Sequence, residues 1–462
     1  MIGSFPGLLE RWYITRHYLG ICPSVAISAQ YIGKDGERLD KATLFSALKQ
    51  VILRHGALSV RISGETSEKP LYIRLSNVNL DDIVEFSDAH DLSEALDVQV
   101  RRGFDTTTDS PLWRLQVFRD GTVIFVFHHA ICDGQSGLAF HRALLKALND
   151  TQADHPAATE PSVVSIPDNT TLVEPLEHLT DLSVSILSFC CALLQLFVPE
   201  SWTADRSTWT GNPVPAVEKL DAQVRLLSYS HVDAARVIDI CRANKSTITS
   251  YIHTLSTLII SHLLNAGQII EGATDSISTT IPISSRHLTN TSADEMCVHI
   301  SVLHQYAPLI PSLIADKPVS QWMAQFPWDT ATNLTTNLRQ ERMQVPKRVG
   351  FLKYLNDIGA FMRRPLGKKR KDTLEISNVG RLMLDDGTSV DGIRKPHPWS
   401  IEHMYFIQAH PASTAAVHIN MVGTPSGGLG FTITWGQDAI EDAFGDAFVD
   451  MLKEAMDELL DN

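Results

Sequence analysis

Hydrophobic residues along the chain recur with periods of about two and about 3.6, and the changes of period mark its elements. Val25 to Tyr31 reads as a strand, and Lys41 to His55 follows as a helix with Leu44, Leu48 and Val51 on one face. Pro111 to Phe118 and Thr122 to Phe127 form two apolar runs around Arg119-Asp120-Gly121, a hairpin with Asp-Gly as its turn signal. Helical spacing resumes from Ser136 to Leu148 through Leu138, His141, Leu144, Leu145 and Leu148.

Asn149 to Asp168 is polar and contains proline, which suits a linker or a long surface connection. Leu182 to Val198, LSVSILSFCCALLQLFV, is nearly free of polar groups and stops at Pro199. It falls short of the ~20 residues usual for a membrane span. A single crossing would also put the two halves of the chain on opposite sides of a bilayer. The expectation is a buried or groove-covering helix, with a helix lying in a membrane surface as the alternative. A second mixed region begins near Leu220. Val232 to Arg242 and Thr249 to Leu264 read as helices; Ser276 to Ile283, Leu374 to Ile376 and Thr432 to Trp435 read as strands. The last helix, Asp438 to Leu460, sets Ile440, Phe444, Phe448, Met451, Leu452 and Met456 on one face and acidic residues opposite. That polarity suits packing rather than a membrane anchor, which favours Lys and Arg.

Composition narrows what such a chain can do. At 462 residues it exceeds one ordinary core, so two domains or one bilobal unit is expected. With 44% hydrophobic and 20% charged residues it belongs with globular proteins. A formal charge of -14 argues against general nucleic-acid binding, which needs a basic face. A local basic cluster could still serve an anionic ligand. The six cysteines form no C-x-x-C pair, so neither a disulfide framework nor a zinc site is indicated. The N-terminus reads as an amphipathic helix, not a signal peptide. Asn169-Thr170-Thr171 and Asn290-Thr291-Ser292 are therefore taken as incidental, and a reducing cytoplasmic location is expected, with peripheral membrane contact left open.

Candidate chemistry concentrates in IFVFHHAICDG, residues 124–134. Neighbouring residues at a strand end point to opposite faces, so His128 and His129 are poorly placed to chelate one ion, and no metal is expected. One remaining reading is a turn, with Asp133 capping the next helix, Gly134 taking a positive φ and the histidines as satisfied core groups. The other is acid-base chemistry. A histidine on a rigid strand end has a near-neutral pKa suited to taking a proton from a hydroxyl or amine. His129 would be that base, Asp133 would pair with an arginine and fix the loop, and Gly134 would leave room beside the ring. Taken alone, the His-x-x-x-Asp spacing favours the turn; two imidazoles directly ending an apolar strand weaken that reading, since buried polar groups need partners. Cys132 carries no sign of activation and reads as packing.

Set after a hairpin strand and before a helix, His128 to Gly134 resembles the signature of the HHxxxDG acyltransferase superfamily. That group includes nonribosomal-peptide condensation domains, plant BAHD acyltransferases and fungal alcohol acetyltransferases, and the resemblance is closest to the last. Gly7-Leu8-Leu9-Glu10-Arg11-Trp12-Tyr13 with Arg16-His17, Pro282-Ile283-Ser284-Ser285-Arg286 and Ser377-Asn378-Val379-Gly380 add to it in the right order. The DFGWG motif of BAHD enzymes is missing, with only Trp435-Gly436 in a comparable position.

The resemblance implies an α/β (α+β) fold of two chloramphenicol-acetyltransferase-like lobes, each a mixed sheet flanked by helices, with a tunnel between them. Residues 1–175 would form the lobe carrying the motif, 176–215 a crossover with the apolar helix, and 216–462 the second lobe. It further implies direct acyl transfer in a ternary complex, with His129 deprotonating an alcohol of a small or hydrophobic metabolite. Acetyl-CoA is the expected co-substrate, with no permanently bound cofactor. His128 would support the strand end and Arg286 would partner Asp133. Ser377 or Asn378 is the candidate oxyanion donor, although a strand-end turn explains both residues as well. Lys368, Lys369, Arg370 and Lys371, after Arg363 and Arg364, could hold the CoA phosphates or be a solvated loop. The competing functions are a condensation-type enzyme using a carrier-protein thioester, and a cyclase or ligand-binding protein on the same fold.

Overall fold

Two large sheets and the helices on them organise the chain. The computed structural model describes residues 4–88, 91–151, 162–195, 207–266, 274–310, 317–344, 346–384 and 398–461. The main strands are β1 (Val25–Gly33), β2 (Val84–Ser87), β3 (Trp113–Phe118), β4 (Thr122–Phe127), β5 (Ala222–Tyr229), β6 (Ser276–Ser284), β7 (Ile300–Pro308), β8 (Leu374–Arg381), β9 (Trp399–Gln408), β10 (Val417–Gly423) and β11 (Leu429–Gly436). The helices needed below are α1 (Leu8–Tyr18), α2 (Lys41–Arg54), α3 (Gly134–Thr151), α4 (Ile186–Gln195), α5 (Ile248–Ala266) and α6 (Asp442–Asp461).

The first sheet has five strands in the order β9-β1-β4-β3-β2. Strands β3 and β4 are the predicted hairpin, paired antiparallel from Trp113 opposite Phe127 to Val117 opposite Val123. Every residue of β4 is buried, because the sheet is covered on both faces, and so its sequence is apolar without alternation. Helix α2 starts where Asp40 accepts the Thr43 N–H at 2.8 Å, and it buries Leu44, Leu48 and Val51. The second sheet runs β5-β11-β10-β8-β6-β7, with the short strand Thr208–Trp209 added to β6. Its core gathers apolar residues of α5 and α6 against β8, β10 and β11.

Strand β9 departs from a division by chain position. It lies within 216–462, yet it pairs antiparallel with β1, Val25 opposite Gln408 through Gly33 opposite Trp399. It also contributes Met404 and Phe406 to the first core. Without it β1 would present an unpaired edge of N–H and C=O groups. The two sheets meet where β9 approaches β11. A Cβ on Gly430 would stand 2.0 Å from the Met404 carbonyl oxygen, so only glycine permits that contact.

Two other expectations change. Within the polar connection, Val163–Ser165 forms a short strand antiparallel to Asn77–Asn79, while 152–161 lie outside the described residues. The apolar segment forms α4, but the helix is not buried: Ile186, Leu187, Cys190, Cys191 and Leu194 are all exposed. Leu182, just before it, is the buried anchor, packed with Val349 in the first core. Residues 196–198 of that segment lie outside the described set. Among the described residues no helix is long and apolar enough to cross a membrane.

Candidate active site

The two histidines leave the end of β4 in different directions, and both rings rest on α1. His129 stacks on Tyr13 with ring centroids 3.7 Å apart and planes 15° apart. His128 lies 4.4 Å from the ring of His17, one helical turn further along α1. Their protons follow from their partners. The backbone N–H of Ala130 donates to His128 Nδ1 at 3.0 Å, so that nitrogen carries no proton. His129 Nδ1 is 3.0 Å from the Cys132 carbonyl oxygen, which can only accept, so Nδ1 carries the proton and Nε2 keeps a free lone pair. Burial first, and then the neighbouring Arg16 guanidinium, push the His129 pKa down to about 4. The ring is therefore neutral at neutral pH and able to accept a proton.

Behind His129, Asp133 is fixed by hydrogen bonds and one ion pair. Its Oδ1 accepts the Ser136 N–H at 2.8 Å and an N–H of Arg286 at 2.9 Å, while Oδ2 accepts the His299 N–H at 3.2 Å. The Asp133 N–H donates to the Cys297 carbonyl at 3.0 Å. Arg286 also donates to the carbonyls of Ser292 at 3.0 Å and Glu295 at 2.8 Å. Burial pushes the Asp133 carboxyl up, but the Arg286 charge and the Ser136 hydrogen bonds outweigh it, and the pKa ends below the usual carboxylate value. Asp133 thus ties the turn to the 286–299 segment without touching the imidazole. Gly134 opens α3 against the other lobe. A Cβ there would stand 2.4 Å from Val379 Cγ1.

That contact with Val379 fixes which face of β8 looks toward the motif. Alternation along a strand puts Glu375, Ser377 and Val379 on one side and Leu374, Ile376 and Asn378 on the other. Leu374 and Ile376 lie in the second core, and the Asn378 amide donates to Thr249 on α5 at 3.1 Å. The Asn378 side-chain oxygen accepts the Gly380 N–H at 2.9 Å. The Asn378 side chain is thus engaged in turn and packing contacts on the face of β8 away from the motif, which leaves its backbone as the part of that candidacy still open. Ser377 is buried on the motif side, with no hydroxyl partner among the described residues. Arg370 is corrected too: it is 2% exposed and donates to the carbonyls of Ala412 and Thr414. It is therefore not free to meet phosphate. Lys368, Lys369 and Lys371 are exposed.

His17, Glu65 and His128 bring three potential ligand atoms within 4.8 Å of one another. Both nitrogens of His17 are engaged, Nδ1 with Glu65 at 2.5 Å and Nε2 with the Phe104 N–H at 2.9 Å. These bonds occupy His17 and hold Glu65 beneath the strand end, whereas His128 meets them by ring contact and its buried Nε2 has no hydrogen-bond partner among the described residues.

Comparison with known proteins gives this arrangement a family. The alcohol acetyltransferase profile matches residues 6–456. The chain belongs to the alcohol acetyltransferase family. Among curated relatives it is 24% identical to crmB of Aspergillus fumigatus, named a probable alcohol acetyltransferase, over 94% of this chain and 95% of the relative. It is 23% identical to FCK4 of Fusarium pseudograminearum, which bears the same description, over 86% of this chain and 81% of the relative. Among solved structures, the TRI3 trichothecene 15-O-acetyltransferase of Fusarium sporotrichioides superposes with a TM-score of 0.66 at 12% identity, covering 98% of this chain and 94% of that one. The fold is therefore the two-lobed acyltransferase fold, and the protein is an acyltransferase.

Three residues that the structure places at this candidate site were not marked as site residues by the sequence. Ser136 lies three positions after Asp133, the spacing of a reciprocal cap, and its hydroxyl accepts from the Asp133 N–H at 3.2 Å. That spacing was legible. Tyr13 and Arg16 lie three apart on α1, with the Arg16 guanidinium 5.8 Å from the Tyr13 ring centroid. Both fall in the α1 stretch that adds to the resemblance, but a helix-facing aromatic and a cation at that spacing are common, so neither was assigned a role. Arg16 forms no hydrogen bond or ion pair through its guanidinium to any described residue. Its charge acts on His129 and on Glu375 across the junction. Arg16→Gln removes one of the two causes that hold the His129 pKa down. If His129 is the base, the acid limb of kcat/KM moves to higher pH in Arg16→Gln and stays in place in Arg16→Lys. A pH–rate profile with an unmoved limb in the Gln variant would refute that coupling.

Proposed function

We propose that this alcohol acetyltransferase moves an acetyl group from acetyl-CoA to the hydroxyl of a small, hydrophobic alcohol, with His129 as general base in a ternary complex. The observation that carries the reading is the hydrogen bond from His129 Nδ1 to the Cys132 carbonyl, which leaves Nε2 as the one basic nitrogen. His129 Nε2 takes the hydroxyl proton as that oxygen forms its bond to the thioester carbonyl carbon. The carbon–sulfur bond then breaks, and Nε2 returns the proton to the departing thiolate, so the products are an ester and a free thiol. Direct transfer fits a site in which the buried Cys132 thiol is pushed well up in pKa by burial and so is a poor nucleophile. Ser377, on the motif-facing side of β8, is the proposed hydrogen-bond donor to the developing oxyanion. Lys368, Lys369 and Lys371 are the proposed phosphate contacts of CoA.

The reading is tested by following thiol release with purified protein, acetyl-CoA and a panel of aliphatic and terpenoid alcohols. Thiol must appear only when both substrates are present, together with the matching acetate ester by mass spectrometry. Inertness toward every acyl-CoA, with turnover of a carrier-protein thioester, would replace it by the condensation-type reading.

A further inference from the structure

Helix α4 wears its apolar side outward. Ile186, Leu187 and Leu194 are 83%, 75% and 66% exposed, and Cys190 and Cys191 are exposed between them. At 100° per residue these five positions form one continuous stripe, the reverse of a helix that packs its apolar face on a core. Single exposed leucines are ordinary; a contiguous stripe on one helix marks an interaction surface. The surrounding segment, Leu182 to Val198, contains no Asp, Glu, Lys or Arg. The helix is nonetheless held in place. Leu182 is buried with Val349 in the first core, and the Phe189 ring lies 4.7 Å from Tyr354, which is itself exposed.

The segment that holds the helix is strongly basic. Residues 342–371 contain ten Lys or Arg and one acid, Asp357, in a chain whose formal charge is -14. Lys347, Arg348 and Lys353 are exposed, and the charges of Lys347 and Lys353 reach Asp181 at the foot of α4. Arg348 is partly neutralised by Glu341 at 3.1 Å. An apolar stripe with a cationic rim on an acidic protein matches one surface, a bilayer carrying anionic headgroups. A second copy of the chain fits less well, because a two-fold interface would set this basic rim against itself.

We propose that α4 lies in the interface of an anionic membrane, with Ile186, Leu187 and Leu194 at the acyl boundary and Lys347, Arg348 and Lys353 among the headgroups. The test is co-sedimentation of the full chain with vesicles of phosphatidylcholine alone or mixed with phosphatidylserine. The protein sediments with the mixed vesicles, and raising salt releases it in part. The triple variant Ile186→Glu/Leu187→Glu/Leu194→Glu and the single Leu187→Glu lose binding in graded fashion, with unchanged circular dichroism and unchanged turnover of a water-soluble alcohol. Lys347→Glu/Lys353→Glu weakens binding by about tenfold or more on the anionic vesicles alone. Failure of the wild-type chain to sediment with phosphatidylserine vesicles overturns the proposal. So does binding that survives in both Glu-substituted stripe variants, or a dimer in size-exclusion chromatography that those variants convert to monomer.

Discussion

Replacing His129 by alanine is expected to lower turnover of acetyl-CoA with an alcohol by roughly 10²–10⁴-fold, the usual share of a positioned general base. The fold is expected to survive, because the ring makes one hydrogen bond and one stacking contact, to the Cys132 carbonyl and to Tyr13. A thermal midpoint close to wild type, with CoA binding retained and transfer lost, is the pattern of a base. Unchanged turnover would remove His129 from the mechanism. The pH dependence follows from the same geometry. A base works only when neutral, so kcat/KM is full above its pKa and falls as pH drops through about 4. Stability changes in a neighbouring window. An unfolded histidine titrates near 6.5, whereas His129, His141 and His253 are each held down to about 4 by burial. Between those values the unfolded chain binds more protons than the folded one, so stability is present above 6.5 and falls as pH drops toward 4. Melting curves across that range separate loss of base function from loss of fold.

Local chemistry was the legible part of this molecule. The β3–β4 hairpin, the Asp133 cap of α3 and the sequence of the motif loop lie within a few residues of their causes, and sequence carries them directly. Pairing between distant segments was not legible in the same way. Nothing in WSIEHMYFIQ says that it completes the sheet of the other lobe, because its partner β1 lies more than 360 residues earlier. Ser377 and Asn378 show the same limit on a small scale. Alternation guarantees opposite faces, but which face meets the motif depends on Val379 touching Gly134 across the junction. Apolar content likewise announced α4 without saying whether protein would cover it. Arg370 sits in a basic run that reads as surface, yet it turns inward because two backbone carbonyls are there to receive it.

Breaking the Asp133–Arg286 pair is the second large effect expected. Arg286 is 5% exposed and Asp133 fully buried, so removing either partner strands a charge away from water. Arg286→Met should cost about 3–5 kcal/mol, the range for an orphaned buried ion. The loss should be partly recovered in Asp133→Asn/Arg286→Met, where neither charge remains and an amide oxygen can still accept the Ser136 N–H. A double-mutant cycle by chemical denaturation measures that coupling, and additive losses would show that the pair does not act as a unit. Activity is expected to behave differently from stability. The Cys132 carbonyl that holds the His129 proton is covalently joined to the Asp133 amide, whose N–H is bound to the Cys297 carbonyl. Arg286 fixes that turn by bonding Asp133, Ser292 and Glu295 at once. The double variant regains stability without regaining those three anchors, so its turnover should stay well below wild type even where it is fully folded.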